Sequence, residues 1–185
     1  MHAPPTPAET AWPETLWTIG HSTRSLDEFV ALLKENGIEA LADVRHFPGS
    51  RKYPHFNVEP LRRALQDAGI GYTSFSELGG RRTVKPDSPN TAWRLPAFRG
   101  YADYMQTGAF REGIERLKAL ATQKRTAIMC AEAVWWRCHR GLISDVFKLH
   151  DTRVLHIMGP GAPREHPWTS AATVVDGRLD YSRPE

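Results

Sequence analysis

The sequence predicts an α/β fold: one three-layer α/β/α domain with a mostly parallel, Rossmann-like sheet and a small C-terminal hairpin. Three observations predict it. Short apolar runs of strand length, at residues 15–21, 38–44, 70–75, 126–129 and 152–158, alternate with stretches of helical period. Helix start and stop residues, such as Ser25 and the Asn36-Gly37 pair, fall between the two kinds of run. The chain has 185 residues, 41% hydrophobic and 24% charged, enough for one domain with a real core.

The elements follow in order. Residues 1–13 hold four prolines and no apolar stretch of a signal peptide, so they read as a flexible tail on a cytoplasmic protein. Residues 14–185 form the domain. The run TLWTIGH at 15–21 is the first strand. Ser25 caps a helix whose Leu26, Phe29, Val30 and Leu33 share a face, with Asp27 and Glu28 in its first turn. Residues 38–44 give a second strand ending in Asp43-Val44-Arg45. The stretch from Arg45 to Asn57 has two prolines and no period, so it is a loop. Asn57 and Pro60 open a helix carrying Leu61, Ala64, Leu65 and Ala68, closed by Gly69. After the third strand, a long polar loop runs from Leu78-Gly79-Gly80 to Pro96, a length that in a compact domain is usually functional or mobile. Phe98, Tyr101, Ala102 and Met105 mark one short helix, and Phe110, Ile114 and Leu117 a second. A fourth strand, its helix and a fifth strand follow. Asp176-Gly177 between β-like runs predicts a hairpin. Strands alternating with helices imply that strands one, two and four present His21, Asp43 with Arg45, and Cys130 with Glu132 along one edge.

The densest chemistry lies at residues 129–140, MCAEAVWWRCHR, which hold both cysteines of the chain. The apolar run before it is a strand, and Leu142, Val146 and Leu149 after it are helical. Ligands bind at such strand-to-helix junctions in open α/β sheets. Charge points the same way. From Arg45 to Arg99 there are ten Lys/Arg against four Asp/Glu, while the rest has fourteen against seventeen. A basic middle on a near-neutral frame fits an anionic partner, a nucleic acid or nucleotide, although a solvated loop has the same composition. No apolar run approaches a membrane span.

Several phrases recur in one order: Thr18-Ile19-Gly20-His21-Ser22, Asp43-Val44-Arg45, Pro48-Gly49-Ser50-Arg51, Leu78-Gly79-Gly80, Tyr101-Ala102-Asp103-Tyr104-Met105, and Cys130-Ala131-Glu132 before Cys138-His139-Arg140. With them the chain resembles the family known as domain of unknown function 488, over residues 16–158. The resemblance implies a compact α/β domain and supplies no reaction.

The residues support several chemistries. Cys138-His139-Arg140 opens a helix, where free amides, Arg137 and Arg140 would hold a phosphate; alternatively these arginines pair with Glu132 or Asp145. Cys130 suggests a thiol nucleophile, stabilised by His139 or the helix. However, six residues separate it from Arg137 where cysteine phosphatases have five, and Trp135 and Trp136 are bulky for a phosphate loop. His21, Asp43, Cys130, Glu132, Cys138 and His139 could converge on a metal, but no Cys-x-x-Cys or His-x-x-x-His spacing supports one, and no metal is expected. Asp43 or Glu132 would serve N-glycosidic bond cleavage. Trp135, Trp136, Phe47, Tyr53 and Phe56 would stack a base, and Arg45, Arg51, Lys52, Arg81 and Arg82 would hold phosphates. In the competing view Asp43 and Arg45 are a structural pair and the rings are core. Ser22 would help cap or contact the ligand, with His21 beside it. Neither Gly-x-Gly-x-x-Gly nor a nucleotide-triphosphate loop is present, so no cofactor is expected.

The sharpest expectation is an enzyme on nucleic acid or nucleotide resembling a DNA glycosylase of base repair. Its catalytic set is Asp43, Glu132, His139 and Cys130. Its binding set is His21, Ser22, Arg45, Arg51, Tyr53, Trp135, Trp136, Arg137, Cys138 and Arg140. A non-catalytic binding module and a cysteine-dependent thiol or redox enzyme are the alternatives. The sequence does not fix an oligomeric state.

Overall fold

Burial of both faces makes the central strands nearly continuous in apolar residues, as parallel strands under two helical layers require. The computed structural model describes residues 10–183. Its sheet is built from β1 (Thr15–Gly20), β2 (Ala40–Asp43), β3 (Gly71–Ser74), β4 (Thr126–Cys130) and β5 (Arg153–Ile157), all parallel, in the order β3-β2-β4-β1-β5. A two-residue strand, β6 (Arg164–Glu165), adds antiparallel to β5 at the edge.

Two helices cover one face. α1 (Leu26–Glu35) starts where the Ser25 side chain accepts from the Glu28 amide, and α2 (Val58–Asp67) follows the basic loop. They bury Phe29, Leu33, Leu61 and Leu65 against Trp17, Ile19, Leu41 and Met129. Each such side chain contributes about 1.5–3 kcal/mol. The opposite face carries α3 (Pro96–Tyr104), α4 (Gly108–Gln123) and α5 (Arg140–Leu149), packed on Leu16, Ala42, Ile128 and Val154. The predicted hairpin forms between β7 (Thr173–Val175) and β8 (Arg178–Asp180). Its turn residues Asp176 and Gly177 have φ of 51° and 73°, as a two-residue hairpin needs.

Of the expected tail, residues 1–9 lie outside the described residues. Trp12, within the same stretch, is packed: its ring stacks on His150 at 3.9 Å and meets Phe147 edge-on. Pro13 is buried, and its carbonyl accepts from the Thr152 hydroxyl. Among the described residues, no helix is long and apolar enough to cross a membrane.

The strand order decides where a ligand can sit. β1 and β2 lead to α1 and α2 on one face, whereas β4, lying between them, leads to α5 on the other. The chain therefore parts to opposite faces around the C-terminal end of β4 and opens a crevice there.

Candidate functional site

A cavity of about 270 Å³ occupies that crevice. The segment joining β4 to α5 supplies Cys130, Ala131, Glu132, Arg137, Cys138 and His139. The loop after β2 supplies Arg45, His46 and Phe47, the loop after β3 supplies Gly80 and Arg81, and α3 supplies Phe98 and Tyr101. Two glycines let these segments meet. A Cβ on Gly20 would lie 1.7 Å from the Glu132 carbonyl oxygen, and one on Gly79 would lie 2.5 Å from the His46 Cα.

At the floor of the cavity the Cys130 and Cys138 sulfurs are 2.6 Å apart, both thiols free. Arg140, fully buried at the first turn of α5, aims its guanidinium at them. Its Nε donates to Cys130 Sγ at 3.0 Å, its Nη1 to Thr18 Oγ1 at 3.0 Å, and its Nη2 to the Glu132 carbonyl at 2.8 Å. The Arg140 backbone amide donates to Cys138 Sγ at 3.4 Å. The two sulfurs differ in how readily they ionise. Cys130 has a carbonyl acceptor, Glu132 O at 3.7 Å, and burial together with its neighbour pushes its thiol up. Burial also opposes ionisation of Cys138, but the contact between the two sulfurs, the Arg140 charge and the helix amide outweigh it and bring this thiol down to about 7. His139 donates from Nε2 to the Val44 carbonyl at 2.7 Å, which leaves Nδ1, 3.4 Å from Cys138 Sγ, as an acceptor. Burial lowers the His139 pKa and keeps the ring neutral.

Asp43 lies elsewhere. Side chains alternate along a strand, and register pairs Asp43 with Met129, so both face α1 and α2 while Cys130 faces α5. Asp43 is fully buried and does not line the cavity. Its Oδ1 accepts from the Arg45 amide and Nε, and its Oδ2 from Arg45 Nη2 and the Tyr72 hydroxyl at 2.6 Å. Four donors fill the four positions of a carboxylate. Burial, reinforced by that carboxylate, pushes the Tyr72 phenol up. Arg45 also donates to the Phe56 carbonyl, so this pair ties the end of β2 to the basic loop.

The remaining expected residues divide. Glu132 and Arg137 line the cavity and are exposed. His21 is buried on the α1 side, stacked on Phe56 at 4.3 Å, with Tyr53 edge-on to it at 6.2 Å. Ser22 continues the β1 backbone by donating its amide to the Ala131 carbonyl, and its φ is 50°. Arg51 is exposed in the basic loop, and neither it nor Tyr53 lines the cavity. Trp135 stacks on His156 at 4.8 Å, while Trp136 is 53% exposed. Among the described residues, no group of three His, Cys, Asp or Glu is placed to hold a metal.

Sequence reasoning passed over His46, Phe98 and Tyr101. His46 Nδ1 is buried with no hydrogen-bond partner among the described residues; burial, then Arg82 and Arg81, lower its pKa. Its signal was present: a histidine directly after the strand-end Arg45. The aromatic residues of α3 reach the cavity only because that helix packs across the end of the sheet.

Fold and site together define a mostly parallel α/β domain with a cavity at a strand-order switch point and a buried thiol pair on the cavity floor. The chain belongs to the family described as Domain of unknown function DUF488, whose model matches residues 25–147. No curated protein and no solved structure matches it significantly.

Proposed function

We propose that the protein is an enzyme acting on a nucleotide or nucleic acid, with the ionised sulfur of Cys138 as its reactive group. The observation that carries this reading is Arg140. Its guanidinium is wholly buried, pairs with no carboxylate among the described residues and donates to Cys130 Sγ, 2.6 Å from Cys138 Sγ, while its backbone amide meets Cys138 itself. A buried cation costs several kcal/mol unless an anion meets it, and the anion available at this contact is a thiolate. Two thiols sharing one proton supply that charge while keeping the second sulfur neutral.

The walls suggest the substrate. Phe47 and Phe98 offer ring faces, and Arg81 and Arg137 are exposed cations at the same cavity, a combination that suits a base and its phosphate. Attack by the thiolate at an electrophilic centre of the substrate would form a bond to sulfur as the bond to the leaving group breaks, the leaving group departing with the electron pair and taking a proton. Water would then cleave the bond to sulfur and return the thiolate, with His46 at the same cavity to carry protons to the leaving group and from the water. A reducing, cytoplasmic setting would keep the pair as thiols.

A second reading has one observation in its favour. Glu132 is the one carboxylate among the described residues that line the cavity. It would serve N-glycosidic hydrolysis of a damaged or modified base, a DNA glycosylase activity in repair. Asp43, with every acceptor position filled, is not part of that proposal.

The test is turnover of a panel of modified-base oligonucleotides and free nucleotides by wild type, Cys138→Ser and Glu132→Gln, with mass spectrometry for a sulfur adduct. Loss in Cys138→Ser with retention in Glu132→Gln supports the thiolate reading. The converse supports the glycosidase. Binding without product in wild type would refute both and leave a binding module.

A further inference from the structure

Behind Arg140 lies a second set of buried polar groups that the reaction does not touch. Thr18 on β1 and His156 on β5 are register partners on the α5 side of the sheet. Both are 0% exposed, as is Asp145 on α5, and His166, just after β6, is 1% exposed. They form one chain of contacts. Arg140 Nη1 meets Thr18 Oγ1 at 3.0 Å, Thr18 Oγ1 meets His156 Nδ1 at 2.5 Å, His156 Nε2 meets His166 Nδ1 at 2.8 Å, and His166 Nε2 meets Asp145 Oδ1 at 2.8 Å. Trp135 lies flat on the His156 ring and edge-on to His166, closing the chain from the outside.

With both imidazole rings neutral, the direction of every hydrogen bond follows from its two ends. Arg140 can only donate. Asp145 receives the Thr169 amide and hydroxyl and the Tyr181 hydroxyl besides His166, four donors on two oxygens, as an acceptor-only carboxylate does. His166 therefore donates from Nε2 and accepts at Nδ1. His156 then donates from Nε2 and accepts at Nδ1, and the Thr18 hydroxyl donates to it while accepting from Arg140. One set of tautomers satisfies all four links, with a positive charge at one end and a negative charge at the other. Such chains polarise cooperatively in a dry interior.

We propose that Thr18, His156, His166 and Asp145 are a positioning relay that holds the Arg140 guanidinium against Cys130 Sγ and thereby favours negative charge on the coupled Cys130–Cys138 pair. The inference rests on the thiolate reading of the site. Arg140 has few other restraints: its remaining side-chain donors go to Cys130 Sγ and to the Glu132 and Ala133 carbonyls of the loop that must admit substrate. The relay supplies the anchor from the rigid sheet instead. Facing Cys138 are Cys130 from β4, His139 and Arg140 from its own segment, and Tyr101 from α3, so Arg140 is the permanent cation in contact with the pair.

The experiment is the pH profile of iodoacetamide alkylation at Cys138, read by mass spectrometry, in wild type, Thr18→Val and Asp145→Asn. ¹⁵N-histidine NMR of the unmodified protein accompanies it. Thr18→Val preserves shape in a buried strand and cuts one link. The expected result is a wild-type profile centred near 7 and a roughly fivefold slower reaction at pH 7 in Thr18→Val. NMR should show both His156 and His166 protonated at Nε2. A wild-type profile at the ordinary cysteine value would overturn the thiolate reading itself. A low wild-type profile unchanged in both variants would overturn the relay alone. If either variant fails to fold, the tautomers still decide: a proton on Nδ1 of either histidine breaks the chain's direction and ends the proposal.

Discussion

Replacing Asp43 by Asn separates a structural carboxylate from a catalytic one. The substitution keeps shape and removes the charge. It turns one acceptor oxygen into an NH₂ group facing donors from Arg45 or Tyr72, and leaves the Arg45 guanidinium, 6% exposed, without its counter-charge. Removing one partner of a buried ion pair costs about 3–5 kcal/mol. For a domain of this size each kcal/mol lowers Tm by about 2–4 °C, so the expected loss is roughly 6–20 °C. Thermal unfolding followed by circular dichroism, with urea titration as a second probe, measures it. Tyr72→Phe, which removes one neutral donor from the same carboxylate, should lose about 1 kcal/mol. An Asp43→Asn protein with wild-type stability and no turnover would refute the reasoning, because it would show a carboxylate reserved for chemistry.

Three further outcomes follow from the geometry. Gly20→Ala forces a methyl group into the Glu132 carbonyl that Arg140 holds, so it should cost about 1–3 kcal/mol in urea melts and slow alkylation of Cys138 at pH 7. Burial, then His166 and Arg140, push His156 down to about 2, below its unfolded value of 6.5; the unfolded chain alone takes the proton, so this contribution to stability is complete above pH 6.5 and falls by about 1.4 kcal/mol per pH unit toward about 2. The check is NMR: a His156 ring that protonates in the native state at pH 5 contradicts it. Replacing Arg81 and Arg137 together by Ala should lower oligonucleotide affinity and reduce the log–log salt slope by roughly 1.5, whereas an unchanged slope would remove these cations from the phosphate path.

The helices and strands were legible because their signals are local. Ser25 caps α1, and Asp176-Gly177 makes the hairpin turn, as their chemistry dictates. The meeting of strand ends was legible too, but not the side of the sheet on which each residue falls. Asp43 and Cys130 end adjacent strands, yet register places them on opposite faces, and register is a long-range property. The relay was invisible for the same reason. Thr18 and His156 are 138 positions apart, and the one local clue was a histidine inside the apolar run of β5.

The spacing of Cys130 and Arg137 argues against a phosphate loop, and the structure explains what replaces it. Residues 135–137 form a short helical turn that carries Arg137 outward, while Arg140 turns inward beneath it. The cations therefore divide by depth. Arg140 has no face left for a ligand, since sulfur, hydroxyl and carbonyl acceptors surround it. Arg81, whose guanidinium lies over the Phe47 ring, and Arg137 are both exposed at the cavity. An inner cation that conditions the sulfur and outer cations that meet the substrate need not compete for one charge. A phosphatase-type loop, by contrast, asks a single arginine to bind the phosphate beside the thiolate. This separation leaves the sulfur pair on the cavity floor between the two layers of cations, where the proposed chemistry takes place.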